Sequence, residues 1–396
     1  MNAPTRINSA LDVRGQFPAT ENWHYLDSAA TAQKPRAVID AITNAYARDY
    51  ATVHRGVYQR SSEMTGRYEA ARAAAAGLIG GQANELVFTR GATEAINLVA
   101  YTLPRAGKRR VLVSTLEHHS NIVPWQLAGF QVDAAPLTED GRIDLDAAEE
   151  MLTAEHLIVA FAHVSNALGS ILDARRAADI AHSKGALLLL DGCQAVPRIQ
   201  VDVAALGCDF YAFSGHKLYG PTGIGALWGR ASLLESMIPW QGGGAMIDRV
   251  TFEATTYADP PQRFEAGTPH IVGAVGLHAA IDWISAIGLD AIPAHEAALV
   301  AECRSALSSV GGVTLYGPDD SAGIVSFNVD GVHAHDTATI LDDAGVAVRA
   351  GHHCAQPLMD SLGIPATARA SFAAHSDSSD IEALVRGIEQ VKRIFG

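Results

Sequence analysis

The chain has 396 residues, of which 48% are hydrophobic and 18% charged. At roughly 150 residues per domain two or three domains are expected, or one large domain with an appendage, and the balance of residues suits a large core, which excludes disordered, collagen-like and low-complexity classes. The net charge of −14 sets nucleic-acid and membrane-surface roles aside, while leaving open a local pocket for a small anion.

The chain start, Met1 to Phe17, mixes Arg6, Asp12 and Arg14 with Asn, Pro and Gly and lacks the apolar core of a signal segment. Helices are expected over Pro35–Tyr50, with Pro in the first turn, and over an Ala-rich stretch ending at Gly80–Gly81. From about Glu85 to Trp228, short apolar strands alternate with helical stretches. The strands are expected at Glu85–Thr89, Arg110–Thr115, Gln131–Ala135, Leu157–Val164, Ala186–Asp191, Asp209–Ser214 and Ile224–Trp228. Helices open at Thr93, after Asn121 and over Asp173–Lys184, the last closed by Gly185. This alternation implies a mainly parallel, seven-stranded-type sheet covered on both faces, with functional residues gathered at the strand carboxyl ends.

Trp240–His270, rich in Gly and Pro, reads as a long irregular connection of the kind that is functional or lies at an interface. After about residue 290 the pattern becomes α+β. A long helix over Ala291–Ser309 precedes strands near Val313–Tyr316, Ile324–Val329, Val346–Ala350 and Arg369–Ala373, and Ile381–Ile394 forms a terminal helix. The expected division is an N-terminal segment (1–30) contributing to a small domain, a large domain (31–285) and the α+β small domain (286–396). The longest apolar runs, such as Leu157–Ala162, fall far short of the roughly 18 residues that cross a bilayer. Four cysteines without a C-x-x-C pair do not make a disulfide framework, so a reducing, cytoplasmic setting is expected.

Three places carry candidate chemistry. In Phe210-Tyr-Ala-Phe-Ser-Gly-His-Lys217 an apolar strand runs into Ser214, His216 and Lys217 and then a Gly/Pro turn. A lone lysine there is usually a snorkelling surface residue, but a desolvated one becomes a nucleophile toward an aldehyde. The strand Ala186–Leu190 ends in Asp191, followed by Gly192, Cys193 and Gln194. Such a carboxylate is often only a solvated cap, yet it also suits the ring nitrogen of a pyridine cofactor that acts as an electron sink. In Thr89-Arg90-Gly91-Ala92-Thr93-Glu94 the exposed amides of a helix start and the Thr93 hydroxyl form an anion site, or simply an N-cap.

Taken together with Glu117-His118-His119-Ser-Asn, Arg263-Phe-Glu-Ala-Gly-Thr268-Pro and Leu26-Asp-Ser-Ala-Ala, these stretches resemble the pyridoxal-phosphate-dependent cysteine desulfurases. The Suf-type branch, which includes selenocysteine-lyase-like members, is the closer match. The resemblance spans nearly the whole chain. It implies the class-V aminotransferase architecture (pyridoxal-phosphate fold type I), a homodimer, and conversion of L-cysteine to L-alanine with sulfur passed through a persulfide to an acceptor protein for iron–sulfur cluster assembly.

Residue by residue, the resemblance implies that Lys217 carries the cofactor aldehyde and moves the substrate Cα proton, with Asp191 at the ring nitrogen. His118 packs on the ring, and Gln194 and Asn166 hydrogen-bond the cofactor oxygen or the substrate. The Ala92 amide, Thr93, Ser214 and His216 hold the phosphate, with Thr268 reaching it from the other subunit. Arg369 clamps the substrate carboxylate. Arg55, in a loop expected to border the partner's site, completes the substrate set. Cys354, in the polar loop Val348-Arg349-Ala-Gly-His-His-Cys354, becomes the persulfide, its thiolate favoured by nearby imidazolium or guanidinium charge. Cys193, Cys208 and Cys303 read as inert core thiols.

The chain departs from the family pattern at Ala92, where a threonine is common, at Tyr58-Gln59-Arg60, and at Ala373-Ala374-His375. The adjacent pairs His118-His119 and His352-His353 lack metal-ligand spacing, and no metal is expected. His335, on the approach to Cys354, is a candidate contact for a zinc-bearing sulfur acceptor. Selenocysteine lyase, cysteine-sulfinate desulfinase, and an aminotransferase or epimerase of the same fold remain alternatives at this stage, as does a non-catalytic sulfur-relay or scaffold protein.

Overall fold

The computed structural model describes residues 11–395. Its centre is a seven-stranded sheet made of β1 (Leu86–Thr89), β2 (Arg110–Ser114), β3 (Gln131–Ala135), β4 (His156–Ala162), β5 (Leu187–Asp191), β6 (Phe210–Ser214) and β7 (Gly225–Gly229). The spatial order is β1-β7-β6-β5-β4-β2-β3, with β2 to β6 paired in parallel and β7 running against both its neighbours. Every residue of β4 and β6 is buried, as in a sheet covered on both faces. Leucine has no strong strand preference, so the Leu187–Leu190 run of β5 owes its extended form to that double covering.

Helices Gln59–Leu78 and Ile271–Ile287 pack together on one side of the sheet, while Ala92–Thr102 lies against β6 and β7. Asp173 caps the helix Ala174–Ser183 by accepting from the Arg176 amide at 3.0 Å, and Gly185 (φ +67°) turns the chain into β5. No single helix among the described residues is long and apolar enough to cross a membrane.

A second, antiparallel sheet contains β8 (Val313–Tyr316), β9 (Ile324–Val329), β10 (Arg349–Gly351) and β11 (Thr367–Ser371), in the order β8-β9-β11-β10. Its own core joins Phe327, Ala368 and Ala370 to Leu307, Leu384 and Ile388 of the helices Ala291–Val310 and Ser378–Phe395. Leu26 also joins this core, and His24–Tyr25 pairs in parallel with Val346–Ala347. Arg14 grips the buried Asp380 carboxylate through both terminal nitrogens, at 2.8 and 3.1 Å. The first ten residues of the expected N-terminal segment lie outside the described residues.

Some element boundaries differ from the sequence expectation. The stretch Trp240–His270 is not wholly irregular: Ile247–Val250 and Thr255–Tyr257 form an antiparallel hairpin. Apart from Ile247 and Thr255 both strands are exposed, so no buried face leaves an alternating pattern to read. The strand expected over Val346–Ala350 is split, because Val346–Ala347 pairs with the N-terminal segment and Arg349–Gly351 with β11. The strand expected at Arg369–Ala373 begins and ends two residues earlier, and Pro35–Tyr50 is α-helical over Arg36–Asn44 before a π turn at Ala45–Asp49.

Leu190, wholly buried beneath the strand ends, makes a direct test of this packing. Leu190→Ala is expected to cost about 2–5 kcal/mol, read as a lowered denaturant midpoint at constant slope.

Candidate active site

The carboxyl ends of β4, β5 and β6 open on a cavity of about 170 Å³. Of the residues singled out from the sequence, Ala92, Thr93, His118, Asn166, Asp191, Gln194, Ser214, His216, Lys217 and Arg369 all line it. Asp191 ends β5 and Ser214 ends β6, so the parallel pairing of these strands sets the carboxylate beside the turn that carries Lys217. Asp191 is oriented by the Cys193 amide, which donates to its Oδ1 at 3.0 Å.

At another part of the wall, the Ala92 amide donates to Ser214 Oγ at 2.9 Å, and the Thr93 and Ser120 hydroxyls meet at 2.8 Å. Gly91 permits this approach, since a Cβ there would stand 3.1 Å from Ser214 Oγ. His216 Nδ1 lies 3.2 Å from the Thr31 hydroxyl. Hydroxyls at the start of an eleven-residue helix make a cradle for an anion.

The opposite wall comes from the second sheet. Arg369 on β11 is fully buried, donating to the Asn166 carbonyl at 2.6 Å and to Asp27 Oδ1 at 2.9 Å. Burial lowers its guanidinium to about 10, partly offset by Asp27, so it stays charged at neutral pH. Asn166 turns its amide to the His353 carbonyl at 2.7 Å, which makes it a brace for the Cys354 loop as well as a wall of the cavity. Two buried atoms of lining residues, Arg369 Nε and His353 Nδ1, have no hydrogen-bond partner.

Cys354 stands next to lining residue His353, half-buried, with the Arg349 guanidinium donating to its sulfur at 3.7 Å. His353 and Cys354 are consecutive left-handed residues (φ +53° and +55°), a conformation that costs roughly 1–2 kcal/mol per residue. The loop is pinned by Asn166 and by the His119 amide, which donates to the Cys354 carbonyl at 2.7 Å. Cys193 also lines the cavity but is buried, and burial beside Asp191 pushes its thiol up to about 12.

Arg55 and Thr268 are not brought into this cavity. Both are exposed, and Thr268 instead lines a second cavity with Tyr68, Phe88 and Trp240. The sequence reading gave no role to Asp27 or His353. Asp27 falls within the Leu26-Asp-Ser-Ala-Ala stretch but bears on Arg369 only through an isolated bridge to β11, a pairing with no local signature. Arg349 carried a signal, a cation five residues before Cys354.

The cavity is basic although the chain is acidic overall: Lys217, Arg349 and Arg369 face it, with Asp191 as the lining carboxylate. This field and burial depress the lining imidazoles. His118 falls to about 4 through burial, then Lys217, and His216 to about 4 through burial, Lys217 and Lys34. His353 falls to about 2 through burial, Arg369 and Arg349. All three are neutral at pH 7, so His118 is available to accept a proton.

The aminotransferase class-V profile matches residues 24–384. The cysteine desulfurase of Dickeya dadantii is 46% identical over an alignment of 411 positions that covers 100% of both chains. A probable cysteine desulfurase of Halalkalibacterium halodurans is 48% identical, covering 94% of each. Among solved structures, the Escherichia coli cysteine desulfurase CsdA superposes with a TM-score of 0.92 at 39% identity, over 99% of this chain and 100% of that one.

The neutral histidines generate a stability prediction. Their folded-state values lie below the ordinary 6.5, so the unfolded chain takes up protons first as pH falls. The stabilisation is complete above about pH 6.5 and is lost as pH drops, down to about 4 for His118 and His216 and to about 2 for His353. Urea unfolding of the cofactor-free protein is expected to show a lower midpoint at about pH 5 than at about pH 7, and His118→Gln should flatten that slope.

Proposed function

The chain belongs to the aminotransferase class-V family, in its cysteine desulfurase branch, and from that premise we propose that it converts L-cysteine to L-alanine and takes the sulfur onto Cys354. The observation that carries the sulfur step is the contrast between two thiols, Cys193 in the cavity wall and Cys354 on the loop next to it. Cys193 is sealed and held protonated, whereas Cys354 is half-open on a pinned loop and faces the Arg349 guanidinium.

Pyridoxal 5′-phosphate is the cofactor of this family, and the residues present fit it. The cradle at Thr93, Ser214 and His216 suits its phosphate, Asp191 its ring nitrogen and Lys217 its aldehyde, and two lining residues, Arg369 and His353, each keep one buried nitrogen without a hydrogen-bond partner among the described residues. When bound, this group withdraws the electron pair left at the substrate Cα as its proton departs.

The chain's own residues supply the rest. Arg369 binds the substrate carboxylate, exchanging part of its contact with Asp27 for a two-point pair. Lys217 removes the Cα proton, and neutral His118 relays protons at the substrate nitrogen and sulfur. The Cys354 thiolate attacks the substrate sulfur: an S–S bond forms, the Cβ–S bond breaks, and its electron pair remains on Cβ, which a proton converts to the methyl of alanine. Carbon is reduced and sulfur is oxidised to the persulfide level, so no external oxidant is required.

The Suf-type assignment, the homodimer, the cytoplasmic setting and delivery of sulfur to an acceptor protein for iron–sulfur cluster assembly belong to the same proposal. Support for the homodimer comes from Thr268 and Arg55, which are exposed and do not line their own chain's cavity, and from exposed Val57, Tyr58 and Phe252. We assign these to a face where each protomer completes its partner's site. The division near residue 285 is supported by the separate core of the second sheet.

Incubation with L-cysteine should release alanine and add one sulfur atom to the Cys354 peptide by mass spectrometry. In Cys354→Ala, alanine release is expected to fall to background while the cofactor remains bound. Full release by that variant would overturn the proposal. Arg369→Lys, which gives up the planar two-point contact, is expected to raise KM for cysteine by about tenfold or more.

A further inference from the structure

Gln194 lines the cavity, but its orientation is decided from behind. Arg198, on the turn that follows β5, is buried and is not a lining residue; its Nη1 donates to Gln194 Oε1 at 2.7 Å. Gln194 Nε2 donates to the carbonyl of Ala29, which does line the cavity, at 2.8 Å. A guanidinium only donates, so it accepts one orientation of the amide: oxygen toward Arg198, nitrogen on the cavity side.

Arg198 also lies against a buried acid, with no hydrogen bond between the two side chains among the described residues. Its Nε lies 3.3 Å from Glu296 Oε2 of the helix Ala291–Val310, with both side chains 3% exposed. Its Nη2 reaches the Phe372 carbonyl at 3.5 Å. Gly323 makes room for the pair, since a Cβ there would stand 2.3 Å from Glu296 Oε2 and 2.6 Å from Arg198 Nε. Burial raises the Glu296 carboxyl to about 7 against the lowering effect of Arg198, so the contact is a poor source of stability, which directs attention to what Arg198 orients.

We propose that Arg198, packed against Glu296, is a positioning residue that locks the Gln194 amide so that it offers the cofactor's ring oxygen an N–H donor and never an acceptor. The inference rests on the reading of the cavity as a pyridoxal-phosphate site with Gln194 against the cofactor. The helix Ala291–Val310 thereby bears on one hydrogen bond at a site it does not touch. A ring oxygen that receives this bond carries its negative charge more readily, and the cofactor's visible absorption reports that charge.

The test is a double-mutant cycle on the cofactor-loaded protein, read by the visible spectrum at fixed pH and by pyridoxal phosphate affinity. Arg198→Met removes the donor that holds the amide oxygen and leaves only the Ala29 carbonyl to orient the group. It is expected to change the ratio of the cofactor's visible bands and to weaken its binding by about tenfold, the scale of one hydrogen bond to a charged group. Arg198→Lys, which keeps a donor, should recover most of the parent spectrum. In a Gln194→Ala background Arg198→Met should add nothing further.

If Arg198→Met does not fold, Glu296→Gln, which leaves the guanidinium in place without an acid beside it, should give a smaller change of the same sign. A parental spectrum and affinity in the folded Arg198→Met protein, or an equal effect with and without Gln194, overturns the inference. A parent protein that binds the cofactor but makes no alanine from cysteine overturns the proposed function and leaves this inference standing.

Discussion

The Arg369 guanidinium is the constraint on which the rest of the site depends. It is buried, and it touches three separate parts of the chain: its own strand β11, the Asn166 carbonyl after β4, and Asp27 near the N-terminus. An unpaired buried cation is strongly unfavourable, so these three segments are held together wherever Arg369 goes. The wall of the cavity built by the second sheet is thereby tied to the strand ends of the first. Asn166 extends the tie, because the same residue that accepts from Arg369 donates to the loop carrying Cys354.

That arrangement also explains the state of the histidines. An acidic chain holds three cations around one small space, and each imidazole there is neutralised by burial and by that positive field. Neutral imidazoles accept protons, and a field that stays positive despite Asp191 and Asp27 attracts anions such as a phosphate or an α-carboxylate. One local concentration of charge therefore serves both binding and proton transfer, against the sign of the molecule as a whole.

The large sheet was readable because doubly buried strands leave unbroken apolar runs, and because Asp191 and Ser214 end such runs. The positions of Lys217, Thr93 and His118 followed from local motifs. Asp27, in a quoted motif but without a role, owes its importance to a contact with a residue 342 positions away, which no local pattern encodes. Arg198 is hidden for the same reason: it acts by a short reach to Gln194, but the acid beside it, Glu296, lies on a distant helix. The exposed hairpin at Ile247–Tyr257 escaped because period-two alternation appears only where one face is buried.

The chain contains two cysteines near the cavity, and burial separates their chemistry. For Cys193, surroundings that exclude water and a neighbouring carboxylate both oppose a thiolate, so its position close to Asp191 makes it less reactive. Cys354 has access to water, a guanidinium at its sulfur, and a backbone held in the left-handed region by two hydrogen bonds to its loop. The strain of that conformation is offset by contacts with Asn166 and His119, both of which belong to the large-sheet side of the cavity. His353 Nε2 at 2.9 Å from the Thr367 hydroxyl and the Gln356 amide donating to His119 Nε2 at 3.1 Å add to these contacts, so the loop presents the thiol from a backbone tied to both sheets.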